Sequence, residues 1–314
     1  MANRINIVSK INGVGLDQDV RILTNTLKSQ GFEVSFSEHK GLKSLWRYIH
    51  QSRHFDANIF IERIFPCWMG YARKNFVIPN QERFPKRLLP ALKKTDGVLC
   101  KTQHALKVFA LHNLITEFVG FTSVDHLQTD LKKNYSEFFH LAGKSSLKGT
   151  EEIIELWREH PEWPQLTLVQ HVSKAPDSVP DNIRLYAEHL SDEKLKALQN
   201  SIGIHLCPSR SEGWGHYIVE AMSTSAVVLT TDGEPMNELI DPGRGVLVKT
   251  SRTEKRHLGT NFYIDSLSLE FAIGQLIAAE EAEKFKLGRR AREWFVNNHI
   301  QFESRLATVL KAMI

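Results

Sequence analysis

Two stretches of this sequence carry side chains suited to gripping a charged, hydroxyl-rich ligand. The first is Gly143-Lys144-Ser145-Ser146-Leu147-Lys148-Gly149-Thr150, which follows the apolar run Phe138 to Ala142 and precedes a helical pattern. Its two lysines stand where a helix N-terminus presents unsatisfied N–H groups. Helix amides and two ammonium groups form a cradle for an oxyanion, and a diphosphate suits it. The Walker A alternative fails, because that loop needs four residues between its first glycine and Gly-Lys-Ser/Thr, and here the lysine precedes the second glycine.

The second stretch is Pro208-Ser209-Arg210-Ser211-Glu212-Gly213-Trp214-Gly215-His216, running into Tyr217-Ile218-Val219-Glu220-Ala221-Met222. Gly213 and Gly215 let the backbone approach a ligand closely just before a helix begins. Glu212 falls in the loop and Glu220 in the second turn of that helix, so the two carboxylates need not face each other. They suit separate hydroxyls of one elongated ligand better than the acid and base of a hydrolase.

The elements that must hold these loops are those of an α/β protein. Ile5 to Val8 reads as a strand, Asn12 to Gly15 as a glycine loop, Asp17 to Gln30 as a helix stopped by Gly31, and Phe32 to Phe36 as a second strand. Apolar runs at 57–61, 76–78 and 97–100 alternate with helix-like basic stretches at 42–53 and 86–94. A second alternation places strands at Phe138 to Ala142, Leu166 to Gln170, Ile183 to Ala187, Ile204 to Cys207, Val227 to Thr230 and Val246 to Lys249. Helices are expected at Thr150 to Glu159, Asp192 to Asn200, Gly215 to Ser223 and Met236 to Ile240. Two terminal helices, Arg289 to Asn298 and Phe302 to Ile314, complete the pattern. In such parallel sheets ligands sit beyond the carboxyl ends of the strands, where both loops lie.

Length and composition agree. A chain of 314 residues favours two domains, and 42% apolar with 24% charged residues excludes disordered, collagen-like and coiled-coil classes. The net charge of +4 is too small to argue for nucleic acid. Cys67, Cys100 and Cys207 are odd in number and far apart, which argues against a disulfide framework or a zinc site. No apolar run approaches the roughly 18 residues of a membrane span, and Met1 to Lys10 lacks the apolar core of a signal peptide. The expectation is a soluble protein of the cytosol.

The motifs resemble a family. Glu-Gly-Trp-Gly-x-x-x-x-Glu-Ala-Met, with seven residues between Glu212 and Glu220, is similar to the signature of retaining GT-B glycosyltransferases, family 4 in particular. Gly143-Lys144 to Lys148-Gly149 resembles that family's G-R-x(n)-K-G loop, and Pro208-Ser209 its P-S. Asn237-Glu238-Leu239-Ile240 and Gly245-Val246-Leu247-Val248 resemble its E-L-I and G-x-L-V pair. In the N-terminal half the strand, the Gly13 to Gly15 loop and the helix match.

The resemblance implies two Rossmann-like doubly wound domains facing across a cleft. It places an acceptor-side domain at 1–120, a linker at 121–136, a nucleotide-sugar domain at 137–298 and a terminal helix at 299–314 that crosses back to the first domain. A UDP-, GDP- or ADP-linked sugar would be the donor, and a glycan, lipid or small-molecule hydroxyl the acceptor. Lys144 and Lys148 would hold the diphosphate, Glu212 the sugar hydroxyls and Glu220 the ribose. Gly143, Gly213, Trp214, Gly215, His216, Gly13 and Gly15 would complete the donor site. Transfer would need no cofactor or metal and no protein nucleophile, since in this family the donor's own phosphate oxygen is thought to take the acceptor proton. A GT-B epimerase or phosphorylase, or a binding protein that kept the cleft and lost turnover, are the alternatives.

Departures from the family pattern are Lys144 for the usual Arg, which keeps charge without bidentate geometry, and Ser225 and Val227 for the common Gly and Pro. Asn80 and Glu82, after the strand at 76–78, are the expected cleft-facing residues on the acceptor side. Asp17-Gln18-Asp19 spells a metal motif but opens a helix, where Asp is a cap. His50 and His54 lack the Glu of a zinc-binding H-E-x-x-H. The mixed basic and apolar stretches 42–49 and 84–89 suit contact with an acidic membrane surface.

Overall fold

The computed structural model describes residues 2–11, 15–41 and 53–314. They form two compact units: Met1–Ser123 with Lys255–Gly259 and Asn298–Ile314, and Val124–Glu254 with Thr260–Asn297.

The first unit holds strands β1 (Arg4–Ser9), β2 (Glu33–Glu38), β3 (Phe55–Glu62), β4 (Ala72–Pro79), β5 (Gly97–Cys100) and β6 (Thr116–Phe118), with helices α1 (Gly15–Ser29), α2 (Leu89–Leu92) and α3 (Gln103–Ala110). All strand pairs are parallel, in the order β2-β1-β3-β4-β5-β6. The near-continuous apolar runs of β1, β3 and β4 follow from burial on both faces. Three asparagines interrupt them, and the register puts Asn6 beside Asn58 and Asn58 beside Asn75. Asn6 Nδ2 donates to Asn58 Oδ1 at 3.0 Å, and Asn58 Nδ2 donates to Asn75 Oδ1 and the Trp68 carbonyl at 2.9 Å each. These bonds offset much of the cost of burying the amides, while Asn6 Oδ1 has no partner among the described residues.

Helix α1 buries Leu16, Ile22, Leu23 and Leu27 and ends ahead of Gly31, whose φ of 87° is the left-handed cap that a glycine adopts readily. The Asp-x-Asp motif divides here. Asp17 lies in the first helical turn, whereas Asp19 is buried in an ion pair with Lys101 at 2.6 Å, whose ammonium stands 4.4 Å from the Phe121 ring centre. In the stretch 84–89, Phe84 is fully buried edge-on to Phe109 and Leu88 and Leu89 are half-buried against the same cluster, while Lys86 and Arg87 are exposed. The 42–49 stretch, Gly13 and His50 lie outside the described residues.

The second unit holds β7 (Asn134–Gly143), α4 (Thr150–Glu159), β8 (Leu166–Gln170), β9 (Ile183–Tyr186), α5 (Asp192–Ser201), β10 (Ile202–Cys207), α6 (His216–Ser223), β11 (Val227–Thr231), α7 (Met236–Leu239) and β12 (Val246–Val248). Its six parallel strands run β12-β11-β10-β7-β8-β9. The direction of winding reverses between β7 and β10. A separate two-stranded sheet, β13 (Thr250–Arg256) and β14 (Gly259–Ile264), follows, with its tip counted in the first unit, and then α8 (Ser266–Ala278) and α9 (Glu281–Met313).

Two departures from the sequence expectations have physical causes. The two terminal helices are one helix of 33 residues, because residues 299–301 contain neither Gly nor Pro to break it. The ribbon of β13 and β14 was not anticipated: its first strand, Thr-Ser-Arg-Thr-Glu-Lys-Arg, is largely exposed and carries no apolar alternation. The expected linker, 121–136, begins at a fully buried Phe121, 5.1 Å from the ring of Phe302, and runs into β7. In the first unit Asn298 Nδ2 donates to the Phe121 carbonyl at 2.7 Å and Arg305 Nε to that of Val119 at 3.2 Å, so 298–314 is built into that unit.

Among the described residues no helix is long and apolar enough to cross a membrane. Cys67, Cys100 and Cys207 are buried and not joined in disulfides.

Candidate functional site

The reversal between β7 and β10 opens a crevice at the carboxyl ends of adjacent strands, the position at which parallel sheets hold ligands. Loop 144–149 leaves β7 there and loop 208–215 leaves β10, so the two motifs meet. Each runs into a helix whose N-cap is a left-handed glycine: Gly149 with φ 64° before α4, and Gly215 with φ 99° before α6. Neither cap has a side chain to accept a hydrogen bond from the first-turn amides, and both helix N-termini lie at this end of the sheet. Gly149 is required for a second reason. A Cβ there would lie 2.7 Å from the Pro208 carbonyl oxygen, so the close approach of the two loops depends on its absence.

Several bonds tie the loops together. Arg210 N donates to the Leu147 carbonyl at 2.7 Å, and its guanidinium reaches Glu152 Oε1 on α4 at 2.6 Å. His140, buried in β7, bonds through Nδ1 to the Leu206 carbonyl at 2.7 Å and through Nε2 to Thr150 Oγ1 at 2.9 Å. It thereby pins β10 and the first residue of α4 to the same strand. A carbonyl can only accept, so Nδ1 carries the proton and Nε2 accepts from Thr150. Burial lowers the His140 pKa to about 4, which keeps the ring in this neutral form.

Within this frame Lys148 turns inward. Its Nζ donates to the Leu141 carbonyl at 3.0 Å and stands 3.6 Å from the centre of the Tyr217 ring. Burial depresses its pKa, while the charges of Glu212, Cys207 and Glu220 pull the other way. Glu212 is half-buried, and its Oε1 accepts a bond of 2.5 Å from the hydroxyl of fully buried Ser209. Glu220 lies buried on α6 with Trp214 and Gly213 close by in the chain, and His216 opens the helix half-exposed. Lys144 is exposed beside Gly143, whose φ is 57°.

The remaining sequence candidates lie elsewhere. Gly15 is the first residue of α1 rather than part of a loop. Asn80 and Glu82 follow β4 in the first unit. Glu82 is buried in a short turn, 3.8 Å from Arg83, and its backbone packs against Gly259, so it does not line an open loop. Sequence reasoning had no role for Arg210, His140, Ser209 or Tyr217. Of these, only Tyr217 announced itself, as a bulky hydroxylated residue at the second position of the helix after the glycines. Among the described residues no group of three or more His, Cys, Asp or Glu could hold a metal ion.

Comparison with known proteins agrees with this geometry. Residues 178–261, which span loop 208–215 and α6, match the family model of glycosyl transferases group 1. The two parallel six-stranded sheets match the GT-B fold, and residues 178–261 are similar to the glycosyl transferases group 1 domain.

The fold is similar along its whole length to that of Anabaena HepE, solved with UDP and glucose, at 14% identity and a TM-score of 0.71, covering 99% of this chain and 100% of that one. Sucrose-phosphate synthase from Thermosynechococcus elongatus matches at 15% identity and TM-score 0.72, covering 99% of each chain. An E. coli trehalose-6-phosphate structure bound with UDP-2-fluoro glucose matches at 11% identity and TM-score 0.69, also covering 99% of each. A sequence search of the curated proteins finds no match.

Proposed function

We propose that this protein is a retaining glycosyltransferase that moves a sugar from a nucleoside diphosphate donor to an acceptor hydroxyl without a metal ion. The observation that carries the reading is the convergence, at one switch point, of two uncapped helix N-termini, Lys148 and the half-buried Glu212. A diphosphate leaving group develops negative charge as the glycosidic bond breaks. Helix amides, Lys148 and Lys144 are assigned to stabilising that charge, which elsewhere is the work of a divalent cation. The binding of UDP, or of UDP with glucose, in a protein of the same fold supports a nucleotide sugar as donor.

Glu212 is assigned to the hydroxyls of the transferred sugar and Glu220 to the ribose, with Gly213 and Gly215 admitting the backbone close to the phosphates. Trp214 and His216 flank that approach. The acceptor, a glycan or lipid hydroxyl, is assigned to the first unit near the carboxyl end of β4, where Asn80 lies. A position in the cytosol, with or without contact to a membrane surface, suits such a donor.

The test is release of nucleoside diphosphate from UDP-, GDP- and ADP-sugars in the presence of EDTA, with and without acceptor extracts. Acceptor-dependent release, with NMR showing the donor's anomeric configuration kept in the product, is expected. Binding without release, or release only on adding a divalent metal, would overturn the proposal.

A further inference from the structure

Tyr217 holds an unspecified position between Gly215 and Glu220, yet it touches both halves of the candidate donor site. Its ring lies under the Lys148 ammonium at 3.6 Å from the ring centre. Its hydroxyl lies 2.6 Å from Ser209 Oγ, which in turn lies 2.5 Å from Glu212 Oε1. Ser209 is fully buried and Tyr217 nearly so, with no water needed to complete either bond.

Proton counting fixes the direction of this chain. A carboxylate can only accept, so the single proton of Ser209 points to Glu212. The Tyr217 hydroxyl must then donate to Ser209, and burial holds that phenol protonated by raising its pKa far above the ordinary value. The Tyr217 proton is thereby committed to Ser209 and the Ser209 proton to one oxygen of Glu212, which restrains the carboxylate. On the other side, the Leu141 carbonyl and the Tyr217 ring face occupy two of the three N–H directions of the ammonium. The third is aimed by the other two.

We propose that Tyr217 is a positioning residue for glycosyl transfer, its ring seating Lys148 for the donor diphosphate and its hydroxyl, through Ser209, orienting Glu212 for the donor sugar. This rests on the function proposed above. It adds that one side chain links the two recognition events, and that the ring and the hydroxyl can be separated by mutation.

The experiment is calorimetry on the full chain with UDP, GDP and ADP and with their glucose conjugates. Tyr217→Phe keeps the ring and loses the hydroxyl. It should bind the bare nucleotides within about twofold of wild type while losing about tenfold for the glucose conjugate, the scale of one hydrogen bond to a charged group. Tyr217→Leu loses the ring as well and should lose about tenfold for the bare nucleotide, the scale of a desolvated cation–π contact. Ser209→Ala should reproduce Tyr217→Phe, and the double variant should be no worse than either single one.

Equal losses for nucleotide and conjugate in Tyr217→Phe, no loss at all, or additive losses in the double variant would each overturn the proposal. Thermal melts establish which variants fold, and Ser209→Ala alone carries the hydroxyl arm if Tyr217→Phe does not. Wild-type protein that binds none of the six compounds would instead overturn the donor-site reading itself.

Discussion

Replacing Lys148 by Met removes a cation held between β7 and β10 against Leu141 and Tyr217, and the size of the effect follows from its surroundings. A charge-assisted hydrogen bond to a diphosphate contributes about 1.5 to 3 kcal/mol. Two local features act on that range. The Tyr217 ring, 3.6 Å away, already seats the ammonium, so it meets a phosphate with little further ordering. Without the ammonium, the charges of Glu212 and Glu220 lose their opposing cation and repel the incoming phosphates. The net expectation is a loss of about 2 to 3 kcal/mol, or roughly 30- to 150-fold in affinity. Calorimetry with UDP, GDP and ADP at two salt concentrations measures it. Folding stability should change little, because the charge removed is one whose burial already disfavours it. Unchanged affinity for all three nucleotides would refute the placement of the diphosphate at Lys148.

Other expectations follow from neighbouring groups. Glu212→Ala should keep nucleotide affinity while sugar transfer falls by about two orders of magnitude or more, the scale of a lost transition-state contact; a steady-state assay showing normal turnover would remove Glu212 from the sugar subsite. Gly149→Ala must place a Cβ 2.7 Å from the Pro208 carbonyl at a φ of 64°. Left-handed strain and overpacking together predict about 2 to 4 kcal/mol of lost stability in urea unfolding, and weaker nucleotide binding as α4 is displaced. His140 titrates at about 4 in the fold against 6.5 when unfolded, so between these values the unfolded state takes up a proton that the fold refuses. Stability should therefore fall as pH drops from about 6.5 to 4, by up to about 3 kcal/mol from this residue alone. His140→Gln should flatten that part of a pH series of urea unfolding curves, and an unchanged slope would contradict the buried neutral imidazole.

The two loops were legible because each is a continuous segment whose parts, a strand end, glycines and a helix start, are adjacent in sequence. Placing them side by side needed the strand order, and the strand order follows from which edges pair rather than from any local pattern. The residues that fasten the loops were illegible for the same reason. His140 reads as one polar interruption in an apolar strand, and only the fold shows that it meets Leu206 and Thr150 at once. Arg210 reads as a surface charge until α4 brings Glu152 to it. The row Asn6, Asn58 and Asn75 is similar, three unremarkable amides until the register aligns them. Periodicity also misplaced the end of the chain, since a helix that changes its packing partners along 33 residues looks like two helices with different apolar faces.

The central claim is that the amides and side chains of loops 144–149 and 208–215 hold the diphosphate of a nucleotide sugar. Hydrogen exchange of the full chain, with and without the UDP-, GDP- or ADP-sugar that most raises its melting temperature, tests it most directly. The account predicts slowed exchange at residues 145–153 and 209–220, the two loops and the first turns of α4 and α6, in the wild type and its loss in Lys148→Met. Protection confined to other segments, or none at these helix starts while the nucleotide sugar is bound, would contradict it.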